Sequence, residues 1–151
     1  MKIKIIIVIS ILINVFVIKD VYSEKNKILF KINNEIITSV DLLEESNFLR
    51  AINKDLQNIE KEIVFEISKK SLIRRKIKHI ELKKIYQKLE VDEIDLKKLL
   101  VNYFTRYNLN TYEKVIGFFK EFNLNQKKIE EMILIEIYWN EYILNKYSKN
   151  V

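Results

Sequence analysis

Few residues of this sequence have the chemistry that catalysis or metal binding requires. His79 is the only histidine among the 151 residues, and there is no cysteine. His79 lies in a basic stretch of a predicted helix, so we expect a solvated side chain rather than a member of a Ser-His-Asp triad. The lack of cysteine excludes disulfides and thiolate chemistry. We therefore predict no catalytic, cofactor-binding or metal-binding site, and a protein that is not an enzyme.

Neighbouring carboxylates are the other candidates for chemistry. With a single glycine in the chain, no glycine-rich phosphate loop can form. The acidic pairs fall at predicted helix starts or on polar helix faces, where capping or surface roles are expected instead of acid–base catalysis. These pairs are Glu44 with Glu45, Asp92 with Asp95, and Glu130 with Glu131.

The N-terminus has the pattern of a secretory signal peptide. Two lysines precede an apolar run over residues 5–18, and the small residue Ser23 follows at the expected cleavage point. As a helix this run would extend about 21 Å, less than the roughly 30 Å of a bilayer core. We predict a cleaved signal peptide over residues 1–23, one domain over residues 24–151 and a periplasmic location. The alternative is an uncleaved anchor in the inner membrane.

The composition favours helices. The chain has no proline and one glycine, so tight turns must use asparagine, the next most tolerant residue. An all-β protein would need many such turns, whereas a helical protein needs few. The net charge of +6 comes from interspersed signs, so no nucleic-acid partner is expected. The basic face of the longest helix is expected to be solvated, with an anionic surface or client as the alternative.

Apolar periodicity predicts a mainly α protein of about five helices, one of them long, after a small N-terminal β-hairpin. Residues 27–32 and 35–37 flank an Asn-Asn turn, and Thr38 starts a Thr-x-x-Asp cap for the first helix. Residues 59–89 should form the long helix. Its predicted buried stripe consists of isoleucines and a leucine at helical spacing, namely Ile63, Ile67, Leu72, Ile73, Ile77, Ile80 and Ile85.

Three further helices are predicted after this long one. Asp92 caps the next helix, Thr111 opens a short one that Asn123 can end in a left-handed conformation, and Asn125 caps the last, over residues 126–147. The last helix is apolar around much of its circumference. Such a helix is enclosed by several neighbours or meets a partner.

The order of these segments resembles the N-terminal domain of SurA-type periplasmic chaperones. Residues 32–42, INNEIITSVDL, are similar to the strand–turn–helix that opens this domain in the family. The similarity continues in order, and it extends over residues 27–147. The further segments are Ser71-Leu72-Ile73, Leu89 to Asp95, Asn108 to Glu113 with Phe122-Asn123-Leu124, and Ile129 to Asn145.

The sequence departs from the family pattern in two ways. Asn123 stands where the family usually has glycine. The family also continues into parvulin-type prolyl isomerase domains and a final helix that folds back, whereas this sequence ends at Val151. We therefore expect no isomerase activity. The uncovered apolar surface would be closed by a homodimer, covered by a partner chain such as a separate isomerase, or left as an open groove.

The resemblance implies a periplasmic, ATP-independent chaperone module that holds unfolded outer-membrane or secreted proteins. The alternative is a non-catalytic assembly protein whose apolar surface is covered by a homodimer or a partner chain. Core packing is the ordinary role of aromatic residues at helical spacing. As contacts for a client or partner we predict Phe104, Phe118, Phe119, Phe122, Ile135, Tyr138, Trp139 and Tyr142.

Overall fold

The computed structural model describes residues 26–86 and 88–148. The predicted signal peptide, like the alternative membrane anchor, falls on residues outside these ranges. Among the helices that are described, none is long and apolar enough to cross a membrane. The described chain is mainly helical with a small two-stranded antiparallel sheet, which confirms the predicted fold class at this level.

The N-terminal sheet is the predicted hairpin. Strand β1 (Ile28–Ile32) pairs with β2 (Glu35–Thr38), and Phe30 lies opposite Ile37. Asn33 makes the turn with a φ of 51°. Asparagine tolerates this left-handed conformation better than most residues other than glycine, so an Asn-Asn turn can replace a glycine turn here.

Five α-helices follow within the described residues, with two short 3₁₀ helices between them. Helix α1 packs on α2, α2 packs on α5, and α3 and α4 pack on each other and on α5. The α-helices are α1 (Ser39–Ile52), α2 (Lys61–Lys83), α3 (Glu93–Phe104), α4 (Tyr112–Glu121) and α5 (Gln126–Tyr147), and the 3₁₀ helices are Lys54–Gln57 and Thr105–Tyr107.

The helix starts use the side-chain caps that the sequence predicts. The Thr38 hydroxyl accepts a hydrogen bond from the Asp41 N–H at 3.2 Å, and the Asp41 carboxylate accepts one from the Thr38 N–H at 2.9 Å. At the start of α3 the Asp92 carboxylate accepts a hydrogen bond from the Ile94 N–H, and at the start of α5 the Asn125 side chain accepts one from the Lys128 N–H. Asn123 follows α4 with a φ of 57°. Each cap satisfies backbone groups that have no partner inside the helix.

The core lies where α1, α3, α4 and α5 meet. Phe104 and Phe119 are fully buried, with ring centres 4.9 Å apart, and the Phe48 ring stacks on Phe119. Apolar burial supplies the main stabilisation of this cysteine-free chain. The cluster consists of Phe48, Ala51, Leu100, Phe104, Val115, Phe119, Leu124, Ile129, Met132 and Ile133.

The buried face of α2 differs from the predicted one. Ile63, Ile67 and Ile77, which we expected to be buried, are exposed. The prediction was wrong because isoleucines occur on several faces of this helix, so apolar spacing alone does not select one. The face that packs on the rest of the protein consists of Val64, Ser68, Leu72, Arg75 and Leu82.

Helix α2 is also shorter than predicted, ending at Lys83 rather than near residue 89. Beyond it, the Tyr86 ring packs edge-on against Tyr138 of α5, with centres 5.0 Å apart. The Tyr138 hydroxyl donates a hydrogen bond to the Glu90 carbonyl oxygen at 2.7 Å. These contacts hold Tyr86 and Glu90 beside α5, and no local feature of the sequence reveals them.

Candidate functional site

A groove opens between α2, α5 and the segment that joins α2 to α3. We call it the α2–α5 groove. Its volume is about 550 Å³, within the range of roughly 300–1,000 Å³ typical of ligand sites. It is lined by an apolar set, Tyr86, Leu89, Leu96, Leu134 and Ile135, and by a polar set, His79, Lys83, Lys88, Glu90, Lys127, Glu130 and Glu131.

The apolar floor of the groove comes from three different elements. Leu89 belongs to the connecting segment, Leu96 to α3 and Leu134 to α5, and all three are half-buried. Ile135 is 3% exposed and closes the floor from the side of the core. The floor therefore presents aliphatic surface at the bottom of a recess, where an apolar side chain would be removed from water.

The charged rim of the groove is largely neutralised by local partners. Lys83 Nζ lies 2.7 Å from Glu35 Oε1, and Lys88 forms an ion pair with Glu90. Glu130 accepts a hydrogen bond from the Tyr112 hydroxyl at 2.7 Å. Because the rim carries three lysines, Lys83, Lys88 and Lys127, and three glutamates, Glu90, Glu130 and Glu131, the groove does not select strongly for either sign of ligand.

His79 occupies a different environment from the one we predicted. Its side chain is half-buried at the groove, and among the described residues its buried Nδ1 atom has no hydrogen-bond partner. Burial, with a further contribution from the nearby Lys83 ammonium, lowers the pKa of His79 below its ordinary value. The prediction of a solvated histidine was therefore wrong, because α5 covers part of this face of α2.

Glu45 also departs from its predicted surface role. It is fully buried and accepts a hydrogen bond from Arg75 Nη2 at 2.8 Å. Arg75 itself is 8% exposed. A buried carboxylate on α1 thus requires a buried cation on α2, and the pair joins the two helices beneath the hairpin end of the fold.

A second ionic contact joins α1 to α5. Lys128 Nζ lies 2.8 Å from Glu44 Oε2 and 3.6 Å from Asp41 Oδ1. Burial lowers the pKa of Lys128, but the hydrogen bond to Glu44 and the surrounding carboxylates outweigh it, so the net pKa is raised. This ammonium remains charged and helps to place α5 beside the groove.

The structure separates the predicted contact residues into three groups. Phe104, Phe119 and Ile135 are buried in the described chain, so their side chains offer almost no surface to a client or partner. These three residues have the alternative role, core packing. Phe118 of α4 and Phe122, directly after α4, are half-buried, with ring centres 5.4 Å apart, and both pack on the core cluster.

The other predicted contact residues lie on the C-terminal half of α5. Tyr138 borders the α2–α5 groove, where it holds the connecting segment. Trp139 and Tyr142 are half-buried, with ring centres 5.6 Å apart, and Lys78 Nζ lies 5.9 Å from the Trp139 ring centre. These aromatic residues form a partly exposed patch at the end of the helix.

Sequence reasoning missed the groove because the position of the groove depends on where the chain turns. Leu89, Leu96 and Leu134 were not among the predicted contacts. The predicted end of the long helix at residue 89, beside leucines, could have suggested a recess. The positions of Tyr86 and Glu90 against α5, however, follow from tertiary contacts alone.

Comparisons with protein-family models, with curated proteins and with solved structures found no match. Within residues 26–86 and 88–148, no cluster of three or more His, Cys, Asp or Glu side chains is placed to hold a metal ion. The functional interpretation therefore rests on the groove and on the surfaces that the fold leaves exposed.

Proposed function

We propose that this protein is an ATP-independent chaperone module of the periplasm that holds unfolded outer-membrane or secreted proteins. The observation that carries this proposal is the α2–α5 groove, an open recess of about 550 Å³ with an aliphatic floor. The N-terminal signal-peptide pattern and the ordered resemblance to SurA-type N-terminal domains support it further.

The groove has the properties that promiscuous holding requires. Leu89, Leu96 and Leu134 offer aliphatic surface to apolar client side chains, and a balanced rim keeps the complex soluble. The binding should be weak, because an unfolded client loses conformational entropy when a segment becomes ordered. Weak binding also allows release without nucleotide hydrolysis.

To test this proposal, a chemically unfolded outer-membrane β-barrel protein is diluted into buffer, and its aggregation is followed by light scattering. The protein at several-fold excess should suppress aggregation. The variant Leu134→Glu places a charge on the groove floor and should weaken suppression. Ile94→Glu, at an α3 residue that is 65% exposed and lies outside the groove lining, is the matched control and should act like wild type.

Circular dichroism establishes that each variant is folded, and Leu89→Ser, in the connecting segment, provides a second change in the groove. Unchanged aggregation in the presence of the wild-type protein would overturn the proposed function. Equal suppression by the Leu134 and Ile94 variants would assign client binding to another surface.

A second candidate function is supported by the end of α5. Leu144 and Tyr147 are exposed there, beside the half-buried Trp139 and Tyr142. This patch would suit a non-catalytic assembly protein that pairs with a copy of itself or with a partner chain. Sedimentation distinguishes the two functions, because a concentration-independent dimer with no effect on client aggregation favours assembly.

A further inference from the structure

A second exposed surface lies away from the groove, on the hairpin and the solvent face of α2. It combines aliphatic side chains with cations, and we call it the hairpin–α2 surface. Ile36 on the hairpin is 48% exposed and Ile77 on α2 is 45% exposed. The surface is defined by Ile28, Leu29 and Ile36 of the hairpin and by Ile67, Ile77, Lys70 and Arg74 of α2.

The hairpin lies along α2, so the two elements form one side of the molecule. Lys69 Nζ is 5.9 Å from the Phe30 ring centre, and Glu35 forms ion pairs with Lys76 and Lys83. Residues 69 to 83 of a helix extend about 21 Å. The hairpin therefore runs beside about four turns of α2, and the same turns carry the exposed residues Lys70, Arg74 and Ile77.

This surface carries uncompensated positive charge. Within the described ranges, Lys27, Lys31, Lys69, Lys70 and Arg74 take part in no ion pair. The nearby acidic side chains on the hairpin and on the C-terminal half of α2 are already neutralised: Glu35 by Lys76 and Lys83, and Glu81 by Lys84. Glu62 and Glu66, in the first turns of α2, are the acidic residues that remain on this side.

We propose that the hairpin–α2 surface docks on an anionic lipid membrane. Cations attract anionic head groups, by about 1 kcal/mol for each Lys or Arg near the surface. The exposed isoleucines and Leu29 can enter the boundary between head groups and acyl chains, as the apolar faces of interfacial helices do. Both elements present their apolar side chains outward rather than around a recess, which fits a broad lipid surface better than a single peptide segment.

This inference is independent of the proposed function, because it concerns a different surface and a different ligand. Docking would hold the α2–α5 groove near a membrane whether or not the groove binds clients. A failure of the aggregation test therefore leaves membrane docking unaffected, and the converse also holds.

The cysteine-free chain allows a local test on the full-length protein. A single cysteine introduced as Ile77→Cys or Ile36→Cys is labelled with the environment-sensitive dye NBD, and vesicles of phosphatidylglycerol and phosphatidylcholine are added. Both labels should shift to the blue and brighten. A label at Ile94→Cys, which replaces a residue of α3 that is 65% exposed, is the matched control and should not respond.

The contribution of charge is tested with two double variants that remove the same number of charges. Lys70→Gln with Arg74→Gln should weaken partitioning of the Ile77→Cys probe about thirtyfold at low salt. Lys114→Gln with Lys120→Gln removes two exposed cations of α4 and should leave partitioning within about twofold of the parent. Vesicles of phosphatidylcholine alone should give little response at either hairpin–α2 label.

Three results would overturn the proposal. The first is an absent blue shift at Ile77 and Ile36 with anionic vesicles. The second is an equal shift at Ile94, because the contact would then not be specific to this surface. The third is a response to soluble polyglutamate instead of vesicles, which would assign the surface to an acidic protein partner. Thermal melting of each labelled variant verifies that it is folded.

Discussion

Arg75 of α2 donates a hydrogen bond to Glu45 of α1 at 2.8 Å, and both side chains are buried. The Arg75 guanidinium also lies 5.0 Å from the centre of the Phe48 ring, which belongs to the core cluster. One cation therefore neutralises a buried carboxylate and packs on the aromatic core. This pair sets the rotation of α2, because turning the helix to bury its isoleucines would leave Glu45 without a partner.

Replacing Glu45 with glutamine should destabilise the fold by about 3 kcal/mol, because it leaves the buried Arg75 charge uncompensated. The measurement is urea unfolding followed by circular dichroism. The double variant Glu45→Leu with Arg75→Met removes both charges and should recover most of the loss. A Glu45→Gln variant within about 1 kcal/mol of wild type would show that the pair does not determine how α1 packs on α2.

Replacing Ile133 with aspartate should unfold the domain or leave it without fixed tertiary packing. Ile133 is fully buried, and an unpaired carboxylate at this position costs several kcal/mol. This cost is comparable with the whole free energy of unfolding of a typical domain, about 5–15 kcal/mol. Near-ultraviolet circular dichroism and thermal melting are the measurements. Leu144→Asp, on the exposed end of the same helix, is the control and should melt like wild type.

Replacing Thr38 with alanine should cost about 1 kcal/mol, because α1 loses the side-chain acceptor that caps the Asp41 N–H. Thr38→Ser keeps the hydroxyl and should retain most of the stability. Chemical denaturation of the three proteins is the measurement. If the alanine and serine variants are equally stable, the capping box contributes nothing measurable.

The lowered pKa of His79 predicts a pH dependence of stability. The fold favours the neutral imidazole, whereas the unfolded chain binds the proton with a pKa of about 6.5. The free energy that this pKa difference adds to folding is fully present above about pH 6.5, and it is lost as the pH falls below that value. Urea midpoints should therefore decrease between about pH 7 and pH 5, and His79→Gln should reduce that decrease.

The charged groups that act on His79 are Lys83, Lys76, Glu35 and Glu131, and the pKa of Glu35 is itself shifted. The hydrogen bond from Lys83 lowers the pKa of Glu35, so its contribution is lost only as the pH falls below about 4.5. An identical decrease between about pH 7 and pH 5 in wild type and His79→Gln would contradict the assignment.

Much of the architecture follows from local signals that the sequence contains. The Asn-Asn turn, the Thr38–Asp41 box and the cap residues Asp92 and Asn125 each satisfy backbone groups within a few residues. Their effect does not depend on distant parts of the chain, so the hairpin and the starts of α1, α3 and α5 could be predicted. The burial of Ile133 was also predictable, because apolar spacing on α5 is regular around this residue.

Which face of α2 is buried, and where the groove forms, depend on contacts between residues far apart in the sequence. Isoleucines on several faces left the rotation of α2 open, and only the buried carboxylate of Glu45 on α1 selects the face that contains Arg75. Likewise, the packing of Tyr86 on Tyr138 and the hydrogen bond from Tyr138 to Glu90 bring the connecting segment onto α5 beside the groove. The sequence by itself determined the number, order and starts of these helices, because capping and turn formation are local. The tertiary structure alone decided how each helix is rotated about its axis and which surfaces stay exposed. Both depend on contacts between side chains far apart in the sequence, which form ion pairs, bury one another or form hydrogen bonds.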